Sequence, residues 1–268
     1  MSGEVLMNVP ERGLVQVTLR HAGRLNAMSR AMWRQLRLVF EGIQRSSEAR
    51  CVLIAGEGSA FCAGGDISEY PDFRFDAAAL RDFHENDVWG GLQAMLACDV
   101  PIVAHIEGAC MGAGVEIASC CDIRIAGQSA RFGAPIARLG FPMAPREAQL
   151  VVGAVGEVTA RQMLLEAATF SAADMQARGF LSRVVPDDQV ATEARASALR
   201  TAALAPQAAR LNKQTLRALK VPLALDEQAQ AAIKNIVMGA PDPYAYADSA
   251  EHREGIAAFL EKRPPAFF

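Results

Sequence analysis

Two glycine-rich stretches carry the residue types from which a reactive site can be built. The first, "GEGSAFCAGGDI" at 56–67, follows the apolar segment "CVLIAG", and the second, "GACMGAGVEIASCCDIRIA" at 108–126, runs from a strand-like segment into a helix. Glycine permits a tight turn and leaves no side chain between backbone N–H groups and a bound oxygen. The two stretches therefore predict a pair of N–H groups directed at one oxygen, as in an oxyanion hole. Tight turns beneath closely packed helices are the alternative.

Other reactive sites find less support in the sequence. Neither stretch continues into the Gly-Lys-Ser/Thr of a Walker loop, and neither completes the Gly-x-Gly-x-x-Gly of a dinucleotide site. The four histidines form no His-x-x-x-His pair, and the adjacent Cys120 and Cys121 lack the Cys-x-x-Cys spacing, so we expect no metal site. Cys62 has no neighbouring base or cation in the sequence to activate it as a thiolate, which favours a packing role.

Composition excludes several classes of protein. The chain has 268 residues, of which 51% are hydrophobic, and a formal net charge of −3. Without a long run of Lys or Arg, it lacks the electrostatic footprint of a nucleic-acid-binding protein. No apolar segment approaches the roughly 18 to 20 residues that span a membrane, and the N-terminus lacks a basic region followed by an apolar one. We therefore expect a cytoplasmic protein whose six cysteines stay reduced in the core.

Hydrophobic periodicity predicts the elements that position the glycine stretches. Strand-like and helical segments alternate up to about residue 145, which favours an α/β core with buried, mostly parallel strands. Ser29 is a favourable N-cap for the first helix. Strands are expected at 13–20, 51–56, 101–108 and 122–127, and the helices between them at about 29–46, 77–98 and 112–120.

The chain becomes helical after about residue 145. Ala-rich amphipathic segments predict helices at 145–154, 157–167, 171–178, 187–204, 206–219, 222–238 and 248–261. The chain is therefore expected to divide into an α/β core, residues 1–200, and a helical C-terminal region, residues 201–268.

The glycine stretches belong to a longer series of motifs that covers the chain in order. The segment "SAFCAGGDI" is followed by "PIVAHIEGACMGAGVEIASCCDIRIA". Three further segments extend the series: "LRHAGRLNAMS" at 19–29, "FSAADMQARGFLSRVVPDDQV" at 170–190 and "SAEHREGIAAFLEKRPPAF" at 249–267. Together they resemble the crotonase superfamily, also called the enoyl-CoA hydratase/isomerase family.

This resemblance implies a spiral of repeated β-β-α units with a helical C-terminal region that trimerises. The partners it implies are an acyl-CoA thioester as substrate and further copies of the chain, in a homotrimer or a dimer of trimers. No tightly bound cofactor is implied, because coenzyme A enters as part of the substrate.

The resemblance also assigns residues to the substrate. The thioester carbonyl oxygen would lie between the backbone N–H groups of Gly65 and Ala113, which stabilise the negative charge of an enolate. Bonding of nearby turn N–H groups is a more ordinary role for Asp66, and complementing a helix dipole is an alternative role for Lys262. The contacts implied for the coenzyme A moiety are those of Arg24, Ala63, Gly64, Asp66, Ile67, Phe259 and Lys262.

Glu116 matches the first of the two glutamates that hydratases of the family use as acid and base. It lies about one helical turn after Ala113, so its carboxylate can face the same cavity. An exposed carboxylate at a helix start is the alternative. The position of the second glutamate holds Ile136, which cannot carry a proton, and Phe141 follows it in the expected pocket.

Two other residues are candidates for the missing proton transfer. Glu147 stands at the start of a predicted helix, and His84 lies on the helix that borders the acyl pocket in this family. The ordinary interpretation of Glu147 is a helix-start carboxylate, and that of His84 is a structural or solvent-facing residue.

We therefore expect an enzyme of the enoyl-CoA hydratase/isomerase type that stabilises a thioester enolate, with Glu116 as acid and base. Moving a double bond needs one such group, so isomerase-like or otherwise diverged chemistry is favoured over efficient hydration. A thioester hydrolase or decarboxylase, or a catalytically weak acyl-CoA-binding protein, is the alternative, because Ile136 replaces the second glutamate.

Overall fold

The computed structural model describes residues 3–219 and 250–267, and its centre is a six-stranded sheet. The strand order is β1-β2-β3-β4-β6-β9, with β1 antiparallel to β2 and every other neighbouring pair parallel. The predicted α/β core is therefore confirmed. The strands of this sheet are β1 Glu4–Glu11, β2 Leu14–Arg20, β3 Cys51–Gly56, β4 Ile102–Ile106, β6 Ile123–Gly127 and β9 Arg183–Val185.

Helices flank the sheet and continue through the described part of the C-terminal region. The helix predicted at 222–238 lies outside the described residues. The others are α1 Arg30–Arg45, α2 Ala77–Asp82, α3 Trp89–Ala97, α4 Ala113–Ser119, α5 Pro145–Val155, α6 Glu157–Leu165, α7 Ala172–Ala177, α8 Val190–Ala202, α9 Pro206–Ala218 and a C-terminal helix, Ala250–Glu261.

The sheet has apolar residues on both faces because a helical layer covers each of them. The main core lies on one side, where α1 contributes Trp33 and Phe40, both almost fully buried. On the other side the small side chains of α8, Ala194 and Ala198, pack in a second cluster with Leu53 of β3. A strand that is buried on both faces has a continuous run of apolar residues. For this reason the strand predicted at 51–56 and the observed β3 have the same bounds.

The prediction of a single continuous helix at 77–98 is wrong, because the segment contains two α-helices. Between α2 and α3 the chain forms a π-helical turn, Phe83–Val88. The turn directs Asp87 into the structure, where its carboxylate accepts hydrogen bonds from Arg30 Nε at 2.6 Å and Arg34 Nε at 2.7 Å. The wider turn changes the direction of the side chains that follow α2, and π-helical turns recur at functional sites for this reason.

A second, small sheet holds the two glycine stretches together. It consists of β5 Ala109–Met111, β7 Arg131–Gly133 and β8 Thr169–Ser171, in the order β5-β7-β8. The first glycine stretch pairs with β5, because the Cys62 N–H donates to the Ala109 carbonyl and the Cys62 carbonyl accepts from the Met111 N–H, both at 2.9 Å. These bonds fix the relative position of the two turns.

The contact between the turns leaves no room for a side chain at Gly114 of α4. A Cβ atom placed there would lie 2.5 Å from the carbonyl oxygen of Cys62, which is backbone and cannot swing aside. Gly112, which precedes α4, has a φ of +47°, a conformation that glycine adopts without strain.

Replacing Gly114 by alanine should therefore force the two turns apart. We expect Gly114→Ala to lower the free energy of unfolding by about 2 kcal/mol, as overpacking of a core does. Gly153 of α5 is the matched control, since open space surrounds the position of its Cβ. There the same substitution should raise the free energy of unfolding by about 0.5–1 kcal/mol, because alanine is the better helix former. Urea unfolding of both variants measures this, and equal effects at the two positions would contradict the account.

Candidate active site

One backbone N–H group in each glycine stretch, that of Gly65 and that of Ala113, bears on the predicted oxyanion hole. Ala113 is the first residue of α4, so its N–H has no partner within the helix. Gly65 lies beside Met28, but it is the flanking Gly64 carbonyl and Asp66 N–H that bond to Met28, at 2.8 and 2.9 Å. Among the described residues, neither the Gly65 nor the Ala113 N–H has a hydrogen-bond acceptor. Both donors are therefore available to a ligand.

These donors line a mostly apolar cavity of about 260 Å³. Trp33, Phe83 and Val88 form part of its wall, and Ile136 and Phe141 line it as expected from the sequence. The donors and the titratable side chains of Glu116, Glu147 and His84 line the same cavity. The structure thus brings together every residue proposed from the sequence for proton transfer.

Glu116 is a buried carboxyl, not the exposed helix-start carboxylate of the alternative interpretation. It lies in the first turn of α4 and is 7% exposed, and no described residue donates a hydrogen bond to it. Burial raises the pKa of Glu116 well above the ordinary value, and the nearby charge of Glu147 raises it further. A raised pKa makes the ionised carboxylate a stronger base, which is the property that general base catalysis requires.

Glu147 and His84 form a hydrogen-bonded pair in the wall of the cavity. Glu147 stands in the first turn of α5, as predicted, but its side chain is buried at 4% exposure. Its Oε1 lies 2.7 Å from Nδ1 of His84, which the π-helical turn carries to this position. Both residues line the cavity that also holds Glu116, so neither side chain faces bulk solvent alone.

Two residues with polar side chains line the cavity but were not predicted from the sequence. Tyr70 and Arg74 lie four residues apart, in the short helical turn and loop after the first glycine stretch. The Tyr70 hydroxyl lies against Gly65, where a Cβ atom would overlap it, and burial raises the pKa of Tyr70 to about 12. The only sign of these residues in the sequence is the cluster of aromatic and cationic side chains in "YPDFRF". This segment has no helical or strand periodicity that would mark them as pocket residues.

The residues expected to contact coenzyme A lie mainly near the first turn. Ala63, Gly64 and Ile67 line the cavity. Arg24 is largely exposed and its Nη1 lies 3.7 Å from Oδ1 of Asp66.

The remaining members of this set are Asp66, Lys262 and Phe259. Asp66 accepts a hydrogen bond from the Ser68 N–H at 3.1 Å, the turn-bonding role considered from the sequence. Lys262 is exposed just beyond the C-terminal helix and does not line the cavity. Phe259 lies in that helix, and its side chain is outside the described residues.

Other chemistries gain no support from the described part of the chain. Cys62 is fully buried, and burial raises the pKa of its thiol to about 12, so it is not a thiolate at neutral pH. Within residues 3–219 and 250–267, no group of three or more His, Cys, Asp or Glu side chains could hold a metal ion. None of the helices in these ranges has the length and apolar character needed to cross a membrane.

Comparison with known proteins relates this geometry to a family. A model of the enoyl-CoA hydratase/isomerase family matches residues 10–268. The probable enoyl-CoA hydratase echA8 of Mycobacterium bovis is 30% identical over 100% of this chain and 99% of its own length. The 2,3-dehydroadipyl-CoA hydratase of Escherichia coli is 31% identical over 98% of each chain.

The fold is shared as well as the sequence. The crystal structure of an enoyl-CoA hydratase/carnithine racemase from Magnetospirillum magneticum matches with a TM-score of 0.88 at 33% identity, covering 98% of this chain and 95% of that one. Both glycine stretches and Glu116 lie within the matched residues. The crotonase fold expected from the motifs is thus confirmed, and the chain belongs to the enoyl-CoA hydratase/isomerase family.

Proposed function

We propose that the protein acts on an enoyl-CoA thioester by forming an enolate, with Glu116 as the acid and base. The observation that carries this proposal is the buried Glu116 carboxyl beside two backbone N–H groups without acceptors, in one apolar cavity. In this proposal the thioester carbonyl oxygen accepts from Gly65 and Ala113. The coenzyme A moiety extends past Arg24 and the turn at 63–67, with Phe259 and Lys262 as further contacts.

The two N–H donors act before any proton moves. They hold the carbonyl oxygen, and their contribution grows as negative charge develops on that oxygen in the enolate. One such donor is typically worth about 2.7–4 kcal/mol of transition-state stabilisation. The apolar wall strengthens this interaction because it keeps competing water away.

Glu116 then completes the reaction by moving one proton. To shift a double bond, its carboxylate takes a proton from the carbon next to the thioester and returns it two carbons further along the dienolate. Burial and the charge of Glu147 raise the pKa of Glu116, which makes its carboxylate a stronger base toward the carbon acid than an exposed carboxylate. Ile136 occupies the position where the family has its second glutamate, so we favour isomerisation over hydration by the usual pair of glutamates.

Hydration is the second candidate reaction. Glu147 supplies a second carboxyl to the cavity, although from a different position in the chain than the family's second glutamate. With His84 bonded to it at 2.7 Å, Glu147 can hold or deprotonate a water while Glu116 protonates carbon. The names of the relatives, which are enoyl-CoA hydratases, support an enoyl-CoA substrate for either reaction. Thioester hydrolysis or decarboxylation, and weak binding without turnover, are the alternatives.

We also propose that residues 201–268 mediate assembly into a homotrimer or a dimer of trimers. At the end of α9, Leu216 and Leu219 are 64% and 73% exposed. A neighbouring copy would bury such apolar side chains.

The reaction can be tested with crotonyl-CoA and a 3-enoyl-CoA, followed by the absorbance of the conjugated thioester. Isomerisation produces that absorbance from the 3-enoyl-CoA, and hydration removes it from crotonyl-CoA. We expect Glu116→Gln to reduce turnover at least about 100-fold with little change in substrate binding. The glutamine amide cannot take the proton from the substrate carbon or return it. Full activity of this variant would overturn the role of Glu116.

The same variant has an expected effect on stability. A carboxyl with a raised folded-state pKa destabilises the protein once the pH exceeds its unfolded-state pKa. Glu116→Gln should therefore raise the free energy of unfolding by about 1 kcal/mol at pH 8, and the gain should shrink as the pH is lowered. Glu166→Gln, at an exposed position, is the control and should change neither activity nor stability.

The pH dependence tests the coupling between the two carboxyls. Glu116 must be ionised to act as a base, so kcat/KM rises through its pKa. Because the charge of Glu147 raises that pKa, Glu147→Gln should lower it and move the acidic limb of the residual kcat/KM profile to lower pH. A limb that stays in place or moves to higher pH would show that the two carboxyls do not interact in this way.

A further inference from the structure

Arg74 carries a positive charge at the junction of two cavities. It lines the cavity of about 260 Å³ that holds Glu116, and it also lines an adjoining cavity of about 830 Å³. The larger cavity contains neither Gly65, Ala113 nor Glu116, so it lies beyond the reacting atoms. Most of its other lining is apolar, with Phe75, Leu80 and Phe141 among the side chains.

The guanidinium of Arg74 has aromatic neighbours but no hydrogen-bond acceptor. Its Cζ lies 3.6 Å from the centroid of the Phe141 ring and 4.5 Å from that of Tyr70. Within the described residues no hydrogen bond or ion pair involves its side-chain nitrogens. Glu147 attracts this charge, yet its Oε1 is already bonded to His84.

The missing acceptor matters because Arg74 is only partly exposed to water. A guanidinium has five N–H donors and stays charged in proteins, so its donors require acceptors when water is displaced. Burial lowers the pKa of Arg74, which agrees with partial removal of its charge from water. Stacking on the aromatic rings holds the planar group in place and leaves its N–H edge for a ligand.

From this geometry we propose that Arg74 binds a carboxylate at the far end of the acyl chain, so that the substrate is an ω-carboxyacyl-CoA. The inference rests on the proposed function, in which the thioester lies at Gly65 and Ala113. A carboxylate matches the two parallel N–H bonds that a guanidinium offers. The apolar surface between the two sites accommodates the methylene groups of the chain.

The distances favour the acyl end over the phosphates of coenzyme A as the source of the anion. Tyr70 spans the gap, since its hydroxyl touches Gly65 while its ring lies 4.5 Å from Arg74 Cζ. Arg74 is therefore about one side chain away from the carbonyl site. The pantetheine arm separates the phosphates of coenzyme A from the thioester by a much longer span, and Arg24, the arginine expected to contact coenzyme A, lines neither cavity.

Binding of unreactive thioesters tests the proposal separately from catalysis. Hexanoyl-CoA and adipoyl-CoA have the same chain length and differ in a terminal methyl or carboxylate, and titration calorimetry gives the Kd of each. A hydrogen-bonded charge pair of this kind corresponds to at least about 10-fold in Kd. We expect the protein to bind adipoyl-CoA tighter by that factor, and the preference to fall as salt is added.

Arg74→Met should remove the preference and leave the Kd of hexanoyl-CoA within about 2-fold, since methionine keeps an apolar stem against the rings. Arg81→Met, at an exposed arginine that lines neither cavity, is the matched control and should keep the preference. The comparison of the two thioesters in the unmodified protein needs no variant, so it tests the proposal even if Arg74→Met fails to fold.

Three results would overturn the inference. Equal binding of the two thioesters by the unmodified protein would show that no group recognises the terminal carboxylate. If Arg74→Met raised the Kd of both thioesters by the same factor, the residue would be assigned to coenzyme A binding instead. Failure of both thioesters to bind would overturn the proposed function itself, whereas the first two results leave that function standing.

Discussion

The site depends on one backbone contact, the pairing of the first glycine turn with β5. The backbone of Cys62 in this turn forms hydrogen bonds with Ala109 and Met111. Because Gly114 has no side chain, α4 can also approach the Cys62 carbonyl oxygen closely. This pairing puts the Gly65 N–H and the N-terminal N–H of α4 on one cavity. The two donors could not share one oxygen if the turns were free to separate, so the rigidity of the small sheet is a condition for the proposed chemistry.

A second constraint follows from placing an acid within that cavity. Glu116 is buried without a described hydrogen-bond donor and faces a second buried carboxyl, Glu147, an arrangement that folding alone would not favour. In the proposed function this energetic cost has a purpose, because the same features raise the pKa of Glu116. His84 limits the cost for Glu147 by bonding to it. The energetic cost of the site and the reactivity proposed for it thus have one physical origin.

The sequence was most informative where one short-range rule dominates. The apolar run of β3, the N-cap at Ser29 and the glycine turns before α4 follow from local preferences, and the structure shows each of them. The partnership of His84 with Glu147 spans 63 positions and depends on a π-helical turn, which no local pattern marks. Arg74 was missed for a related reason. What distinguishes it is the lack of a hydrogen-bond acceptor among the described residues, and only the packed structure shows which acceptors lie near a side chain.

In the proposed function, two backbone N–H groups hold the thioester carbonyl oxygen. Infrared spectroscopy of an acyl-CoA labelled with ¹³C at that carbonyl measures this contact directly, since hydrogen bonds to the oxygen weaken the C=O bond. We predict that the carbonyl band moves to lower frequency when the labelled thioester binds, relative to the same thioester free in water. A bound thioester whose carbonyl band stays at its position in water, or moves to higher frequency, would contradict the account.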